Sequence, residues 1–317
     1  MENQIAKTDK IYVAGHRGLV GSAIVRSLTK KGYDNLVCRT HQELDLLRQA
    51  DVRRFIRTER PDVVVLAAAK VGGINANNLH PADFIYENME IQNNVIRAAH
   101  DYGVKKLLFL GSTCIYPRMA AQPIREDALL TGPLEKTNEG YAIAKISGLM
   151  MCRFFKLQYG DNFISCMPTN LYGPNDNFDL ESSHVLPALI RKFHDAKLSG
   201  AQAVECWGTG VPLREFLHVD DMADACVFLL EKYDGEQHVN IGTGEEVSIR
   251  QLAELIRKVV GYRGDITWNI SMPDGTPKKL TDVTRLHALG FSHRIGLEEG
   301  VRSTYEWYLN HEAHRGE

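Results

Sequence analysis

The sequence predicts an α/β fold, a doubly wound parallel sheet joined to a smaller, discontinuous α/β domain. Three observations carry that expectation. Over residues 10–168, short apolar runs alternate with segments of helical period, and continuous apolar strands separated by helices belong to a parallel sheet covered on both faces. A glycine-rich turn, Gly15-His-Arg-Gly18-Leu-Val-Gly21, joins the first strand to the first helix. After Gly173-Pro174 the rhythm loosens, and one further helix–strand unit then returns over 220–242.

Residues 10–14 form a buried-strand run, 19–31 a helix pattern ended by Gly32, and 36–39 a second strand. Helix 47–57 follows, then an apolar strand over 62–69 after Pro61, a helix over 84–102 stopped by Gly103, and a strand over 106–111. Helix 141–159 ends at Gly160 and leads into strand 163–168. Residues 175–183 are polar and loop-like, and helix 186–198 closes on Ser199-Gly200. The returning unit comprises helix 220–232 and strand 238–242, followed by helix 251–260 and a polar loop over 273–279. The chain therefore divides into 1–172 with 214–244, and 173–213 with 245–317.

Composition excludes several classes of function. The 317 residues are 44% hydrophobic and 24% charged, proportions of a soluble globular protein. A formal net charge of −3 leaves no electrostatic footprint for nucleic acid. Apolar runs such as 63–69 fall far short of the ~20 residues that a membrane span needs. Residues 1–10 are polar, without the apolar core of a signal peptide. Six scattered cysteines with no C-x-x-C pair read as reduced thiols in a cytoplasmic setting, with no metal site expected.

In the turn Gly15-x-x-Gly18-x-x-Gly21, the glycines permit a tight bend, close approach of backbone to a pyrophosphate, and close packing of helix on strand. Leu19 and Val20 open the helix, whose free N–H groups and positive dipole end suit a phosphate. These features make the sheet Rossmann-type, with a bound dinucleotide. An NAD-specific site carries an acidic residue near the end of the second strand. Here that place holds Arg39-Thr40, and Arg17 lies inside the glycine turn. A guanidinium binds a 2′-phosphate through charge-assisted hydrogen bonds, so NADP(H) is expected over NAD. Further on, Tyr141 and Lys145 stand four residues apart, on one face of their helix. A neighbouring ammonium stabilises a phenolate, and Lys145 is expected to draw the Tyr141 pKa toward neutrality.

In this order, the glycine turn, Ser112 and Tyr141-x-x-x-Lys145 resemble the extended short-chain dehydrogenase/reductase family over nearly the whole chain. The resemblance implies that Ser112 hydrogen-bonds the substrate oxygen, that Tyr141 exchanges a proton with it, and that Lys145 also holds the nicotinamide ribose. It makes Asp45, otherwise a helix N-cap, the acidic residue at the adenine. Pro168-Thr-Asn170-Leu171-Tyr-Gly-Pro174 becomes the turn bordering nicotinamide and sugar. A nucleotide-sugar substrate and a homodimer, joined through helices 84–102 and 141–159, are implied as well.

The reaction is read from Gly111-Ser-Thr-Cys114-Ile-Tyr-Pro117. Family dehydratases carry an Asp-Glu pair where this chain has Cys114 and Ile115, and isoleucine moves no proton. Cys114, two residues from Ser112, is expected to point into the same cleft by strand alternation. His184 stands where a polar loop enters a helix. Together with Thr276-Pro-Lys-Lys279-Leu280, these residues resemble the branch that epimerises and reduces GDP-4-keto-6-deoxy-D-mannose to GDP-L-fucose. A C-4 ketone acidifies the hydrogens at C-3 and C-5. Inverting those carbons needs a base on one face and an acid on the other, roles that fall to Cys114 and His184. The resemblance puts His184 at the cofactor too. It makes Lys192, Trp207 and Arg214 contacts to the GDP-sugar, with Asp274 and Lys279 as ribose or phosphate contacts. The alternatives are another nucleotide-sugar 4-epimerase of the family and a non-catalytic NADP-binding scaffold.

Overall fold

The computed structural model describes residues 4–272 and 274–311. Residues 1–3 of the polar N-terminal stretch, Pro273 at the head of the expected loop, and 312–317 of the second expected domain lie outside the described residues. The chain opens with β1 (Ile11–Ala14), α1 (Leu19–Lys30), β2 (Leu36–Val37), α2 (Gln49–Glu59), β3 (Val63–Leu66), α3 (Ile74–Leu79), α4 (Pro81–Asp101) and β4 (Lys106–Leu110). Next come α5 (Glu139–Tyr159), β5 (Phe163–Pro168), β6 (Asn170–Tyr172), α6 (Val185–Ser199), β7 (Ala203–Trp207), β8 (Leu213–Arg214) and β9 (Phe216–His218). The remainder is α7 (Val219–Lys232), β10 (Val239–Ile241), β11 (Val247–Ser248), α8 (Ile249–Val260), β12 (Asp265–Asn269), β13 (Lys278–Lys279), α9 (Thr284–Leu289) and α10 (Leu297–His311).

Six strands form one parallel sheet in the order β2-β1-β3-β4-β5-β10. Every residue of β1, β3, β4 and β5 is buried, which is why these strands read as unbroken apolar runs. One face packs on α1 and α7 through Ile24, Leu28, Met222 and Leu230. The other packs on α2, α4 and α5 through Ile56, Val95, Ile96 and Leu149. The returning strand β10 adds to the sheet beside β5. A separate core gathers Ile190 and Phe193 of α6, Leu252 and Ile256 of α8, and Tyr305 and Tyr308 of α10.

Several bounds differ from the sequence reading, each for a local reason. α4 starts at Pro81, whose missing N–H costs nothing in a first turn. α8 starts at Ile249, because Ser248 and Gln251 close a reciprocal capping box. α2 starts at Gln49, two residues later than expected. Residues 278–279 are a strand pairing with β8, not part of a loop. β7, β12 and α10 are further elements outside the sequence reading; β7 is a five-residue strand that alternates exposed and buried residues.

The glycine turn closes β1 onto α1. Gly15 has φ +82°, and a side chain there would meet the Ala68 backbone at 2.7 Å. A Cβ on Gly21 would lie 2.1 Å from the Gly15 carbonyl. Gly18 differs, because its nearest protein atom would be 3.5 Å away. The fold itself demands the outer two glycines and leaves space at the middle one. Gly21→Ala should therefore cost about 1–3 kcal/mol of unfolding free energy in urea. Gly18→Ala should cost under about 1 kcal/mol, as a poorer helix cap only. Equal losses in the two variants would contradict this division.

Candidate active site

The carboxyl ends of β1, β4 and β5 open onto one cleft, where the strand order turns between β1 and β3. Ligands bind open parallel sheets at such a point. At its β1 end, Gly18 caps α1 and no side chain bonds the first N–H groups of the helix. Leu19 and Val20 turn their side chains to the core. Beyond β2, Arg39 donates to the Cys38 carbonyl at 2.8 Å and pairs with Glu59 at 2.6 Å. A cavity of ≈ 540 Å³ lies here, lined by Arg39, Glu43, Asp45, Arg48, Phe55 and Glu59 among others. Thr40 holds the Glu43 carboxyl below its usual range by hydrogen bonds, with help from the charges of Arg39 and Arg17. Arg39 lines the cavity, and the charge of Arg17 reaches Glu43 on its wall. Asp45 is not a cap of α2; it accepts from Leu47 N–H at 3.0 Å in a turn ahead of that helix. Pro168 ends β5, and the Asn170 amide donates to the Glu215 carbonyl at 2.8 Å. Leu171 pairs with Leu217 in the β6–β9 ladder.

At the β4 end, Gly111-Ser112 leads into a single 3-10 turn, Thr113–Ile115. Cys114 is therefore not on a strand. Its N–H donates to the Ser112 hydroxyl at 3.3 Å, and the turn brings the thiol back over the serine. Tyr116 anchors the end of this turn, donating to Asn240 Oδ1 at 2.5 Å with its oxygen 2.9 Å from His238 Nε2. From α5, the Tyr141 ring stands edge-on to Phe84, and its hydroxyl faces Ser112. Lys145 is buried, donates to the Leu110 carbonyl at 2.8 Å, and lies 5.7 Å from the Tyr141 ring centre.

Burial dominates the titration of these groups. It pushes the Tyr141 phenol well up, with a further rise from Cys114, and the Ser112 hydrogen bond offsets little of it. Lys145 does not bring the phenol toward neutrality as the sequence suggested; desolvation lowers Lys145 itself to about 8. The Cys114 thiol is pushed up by burial and pulled back by the charge of Lys279, by Ser112 and by Lys145. His184, the residue before α6, is open to the cleft. Crowding by protein and the Lys279 charge still hold its imidazole below the ordinary range. At neutral pH the site thus rests as phenol, thiol and uncharged imidazole.

The second core supplies the far wall. Trp207 is half exposed, with the Lys192 ammonium 5.2 Å from its ring and donating to the Glu205 carbonyl. Arg214 lies opposite Lys279 in the β8–β13 ladder. Asp274 ties its loop to the segment between β7 and β8, accepting from Thr209 N–H at 2.7 Å and from the Thr209 hydroxyl at 2.8 Å. Among the described residues, no group of three or more His, Cys, Asp or Glu side chains converges as a metal site would require, and all six cysteines are free. No described helix is long and apolar enough to cross a membrane.

The two cores meet at Glu215. Its side chain is fully buried. Oε1 accepts from Thr243 N–H at 2.6 Å and Gly244 N–H at 2.8 Å. Oε2 accepts from Thr281 N–H at 3.0 Å and the Thr281 hydroxyl at 2.6 Å. Gly242 leaves room for this carboxylate, since a Cβ there would fall 2.3 Å from Oε1. Asn240 makes a parallel link, donating to the carbonyls of Ile124 and Asp282. Glu215→Ala strands several buried donors at once, at about 1–3 kcal/mol each. Urea unfolding should show a loss of at least about 3 kcal/mol with an unchanged slope, and Glu215→Gln a smaller one. A Glu215→Ala protein as stable as the wild type would overturn the role given to this carboxylate.

Comparison with known proteins agrees with this architecture. Residues 11–242 match the NAD dependent epimerase/dehydratase family. GDP-L-fucose synthase 1 of Arabidopsis thaliana is 62% identical over 309 residues, covering 98% of this chain and 96% of that protein. GDP-L-fucose synthase of Escherichia coli is 55% identical over 317 residues, covering 97% and 99%. A GDP-D-glycero-L-gluco-heptose synthase from Campylobacter jejuni, solved in the presence of NADPH, superposes with a TM-score of 0.90 at 40% identity, covering 96% and 99%. With the family match running from β1 to the residue after β10 and relatives this similar over nearly the whole chain, this chain belongs to the NAD dependent epimerase/dehydratase family.

Proposed function

We propose that this protein is an NADPH-dependent epimerase/reductase that converts GDP-4-keto-6-deoxy-D-mannose to GDP-L-fucose. The observation that carries the reading is that Cys114 lies against the Ser112–Tyr141–Lys145 group while His184 shares with it the charge of Lys279. A plain 4-epimerase has no use for that added pair, and a scaffold has none for the triad. Relatives named as GDP-L-fucose synthases at 62% and 55% identity support the same reading. We take 1–172 with 214–244 as the cofactor-binding unit and 173–213 with 245–317 as the substrate unit.

The protein fits the cofactor. The space at Gly18 and the uncapped N–H groups of α1 form a cradle for a pyrophosphate, with Leu19, Val20 and the outer glycines shaping it. Arg39 and Asp45 line the cavity where a 2′-phosphate would sit, and the charge of Arg17 reaches Glu43 on its wall. Lys145, Pro168, Asn170, Leu171 and His184 border the nicotinamide end. Bound NADPH supplies the hydride for C-4.

Ser112 and Tyr141 donate to the C-4 oxygen and stabilise the enolate that forms when a C-3 or C-5 proton leaves. Cys114 acts as base on one face and His184 as acid on the other. They reach that form from the resting thiol and imidazole when the thiol proton passes to His184, so the proton count is conserved. The raised pKa of Tyr141 keeps its proton in place until the C-4 oxygen takes it in the reduction. Lys192 and Arg214 suit the diphosphate, and Trp207 offers a flat face to base or sugar. Asn77 Oδ1 and Asn138 Oδ1 lack protein partners and line a cavity of ≈ 120 Å³ beside Tyr141, a lining suited to hydroxyl groups. We further propose a cytoplasmic homodimer joined through α4 and α5, on which Tyr86, Ile143, Phe154 and Leu157 are exposed while Met150 and Met151 pack on the core.

Two variants test the reading. In deuterated solvent, Cys114→Ser should lose deuterium incorporation at C-3 and C-5 while NADPH binding is kept; undiminished incorporation would refute the assignment. Arg39→Met should weaken NADPH about 10–100-fold, the value of lost charge-assisted bonds, while NADH affinity changes little. Equal weakening of both nucleotides would remove Arg39 from the 2′-phosphate.

A further inference from the structure

Lys279 stands apart from the other cations of the cleft. Lys145, Lys192 and Arg214 each donate to a main-chain carbonyl. The Lys279 ammonium, part-buried, has no hydrogen bond or ion pair with any described residue. Its backbone, by contrast, is held on both sides. Leu213 N–H donates to the Pro277 carbonyl at 3.0 Å, and β13 then pairs with β8. Next along the chain, Leu280 donates to Gln122 Oε1 at 2.8 Å and accepts from Ile124 N–H at 2.7 Å. Thr281 is tied to Glu215. Alternation along the strand sends the two lysines to opposite sides. Lys278 pairs with Glu246 at 2.8 Å, and Lys279 is left facing the cleft.

The groups around it are few. Cys114 is faced by Ser112 of its own turn, by Tyr141 and Lys145 of α5, and by Lys279 of β13. Lys279 itself is faced by Arg214 and Glu215, and its charge reaches His184 at the start of α6. An ammonium that rises from a held strand and is free of partners is available as a counter-charge for an anion formed beside it.

We propose that Lys279 is a positioning residue of the Cys114–His184 pair, holding the thiolate of the one and making the protonated form of the other a stronger acid. This rests on the reading that Cys114 and His184 move the C-3 and C-5 protons. One positive charge serves both partners, because it eases proton loss from each. It also moves Lys279 from the nucleotide end, where the sequence suggested it, to the reacting carbons.

The test needs no sugar. Substrate-free protein is treated with methyl methanethiosulfonate across pH, and modification of Cys114 is followed by peptide mass spectrometry. Lys279→Met should shift the midpoint of the Cys114 profile upward by about one unit, roughly a tenfold slower reaction near neutrality. Lys279→Arg should restore most of the wild-type profile, and NADPH affinity should be unchanged in both. A Lys279→Met profile superimposed on the wild type would overturn the proposal, as would a loss confined to GDP affinity. Absence of keto-sugar turnover in the wild type would strike the parent reading alone, and the thiol profile would still decide the part played by Lys279.

Discussion

A single buried carboxylate governs how the two halves of this molecule meet. Glu215 sits at the junction of β8 and β9, and both its oxygens are occupied by donors from other segments. Through Thr243 and Gly244 it holds the loop that follows β10 of the large sheet. Through Thr281 it holds the strand that carries Lys279. Arg214 precedes Glu215 in sequence, and the Glu215 carbonyl accepts from the Asn170 amide. Arg214, Lys279 and the turn at Asn170 are therefore registered to one another around this carboxylate, with Asn240 as a parallel link. Paired buried polar groups of this kind contribute little net stability but penalise every arrangement in which they are left open.

Desolvation then sets the chemistry. Tyr141, Lys145, Cys114 and His184 are all shifted toward their uncharged forms. A site in that condition carries little charge at rest, and it gains most when negative charge develops on a substrate oxygen among its donors. The raised phenol suits a reductive direction, in which Tyr141 must give a proton up. The cost falls on the base, since a buried thiol ionises reluctantly, and a cation held beside it offsets that reluctance.

Much of this was legible in the sequence, for physical reasons. β1, β3, β4 and β5 are buried on both faces and so appear as unbroken apolar runs. The glycine turn carries its own steric logic at Gly15 and Gly21, and Tyr141 and Lys145 share a helical face by spacing alone. Cys114 was placed in the cleft by strand alternation, yet a 3-10 turn capped by Ser112 is what directs it there. β8 and β13, each two residues long, have no periodicity to read. Glu215 and Thr281 lie 66 residues apart, and no local pattern announces such a bond. Asp274 also bonds Thr209, 65 residues away, a contact that no local pattern announces.

The central claim is that one site inverts two carbons and then reduces a third. Incubation of the protein with NADPH and GDP-4-keto-6-deoxy-D-mannose in deuterated water tests it most directly, with nucleotide oxidation and product sugar followed together. The account predicts one NADPH consumed per sugar and an L-configured product carrying deuterium at both C-3 and C-5. A product that remains a D-sugar, or inversion without NADPH consumption, would contradict it.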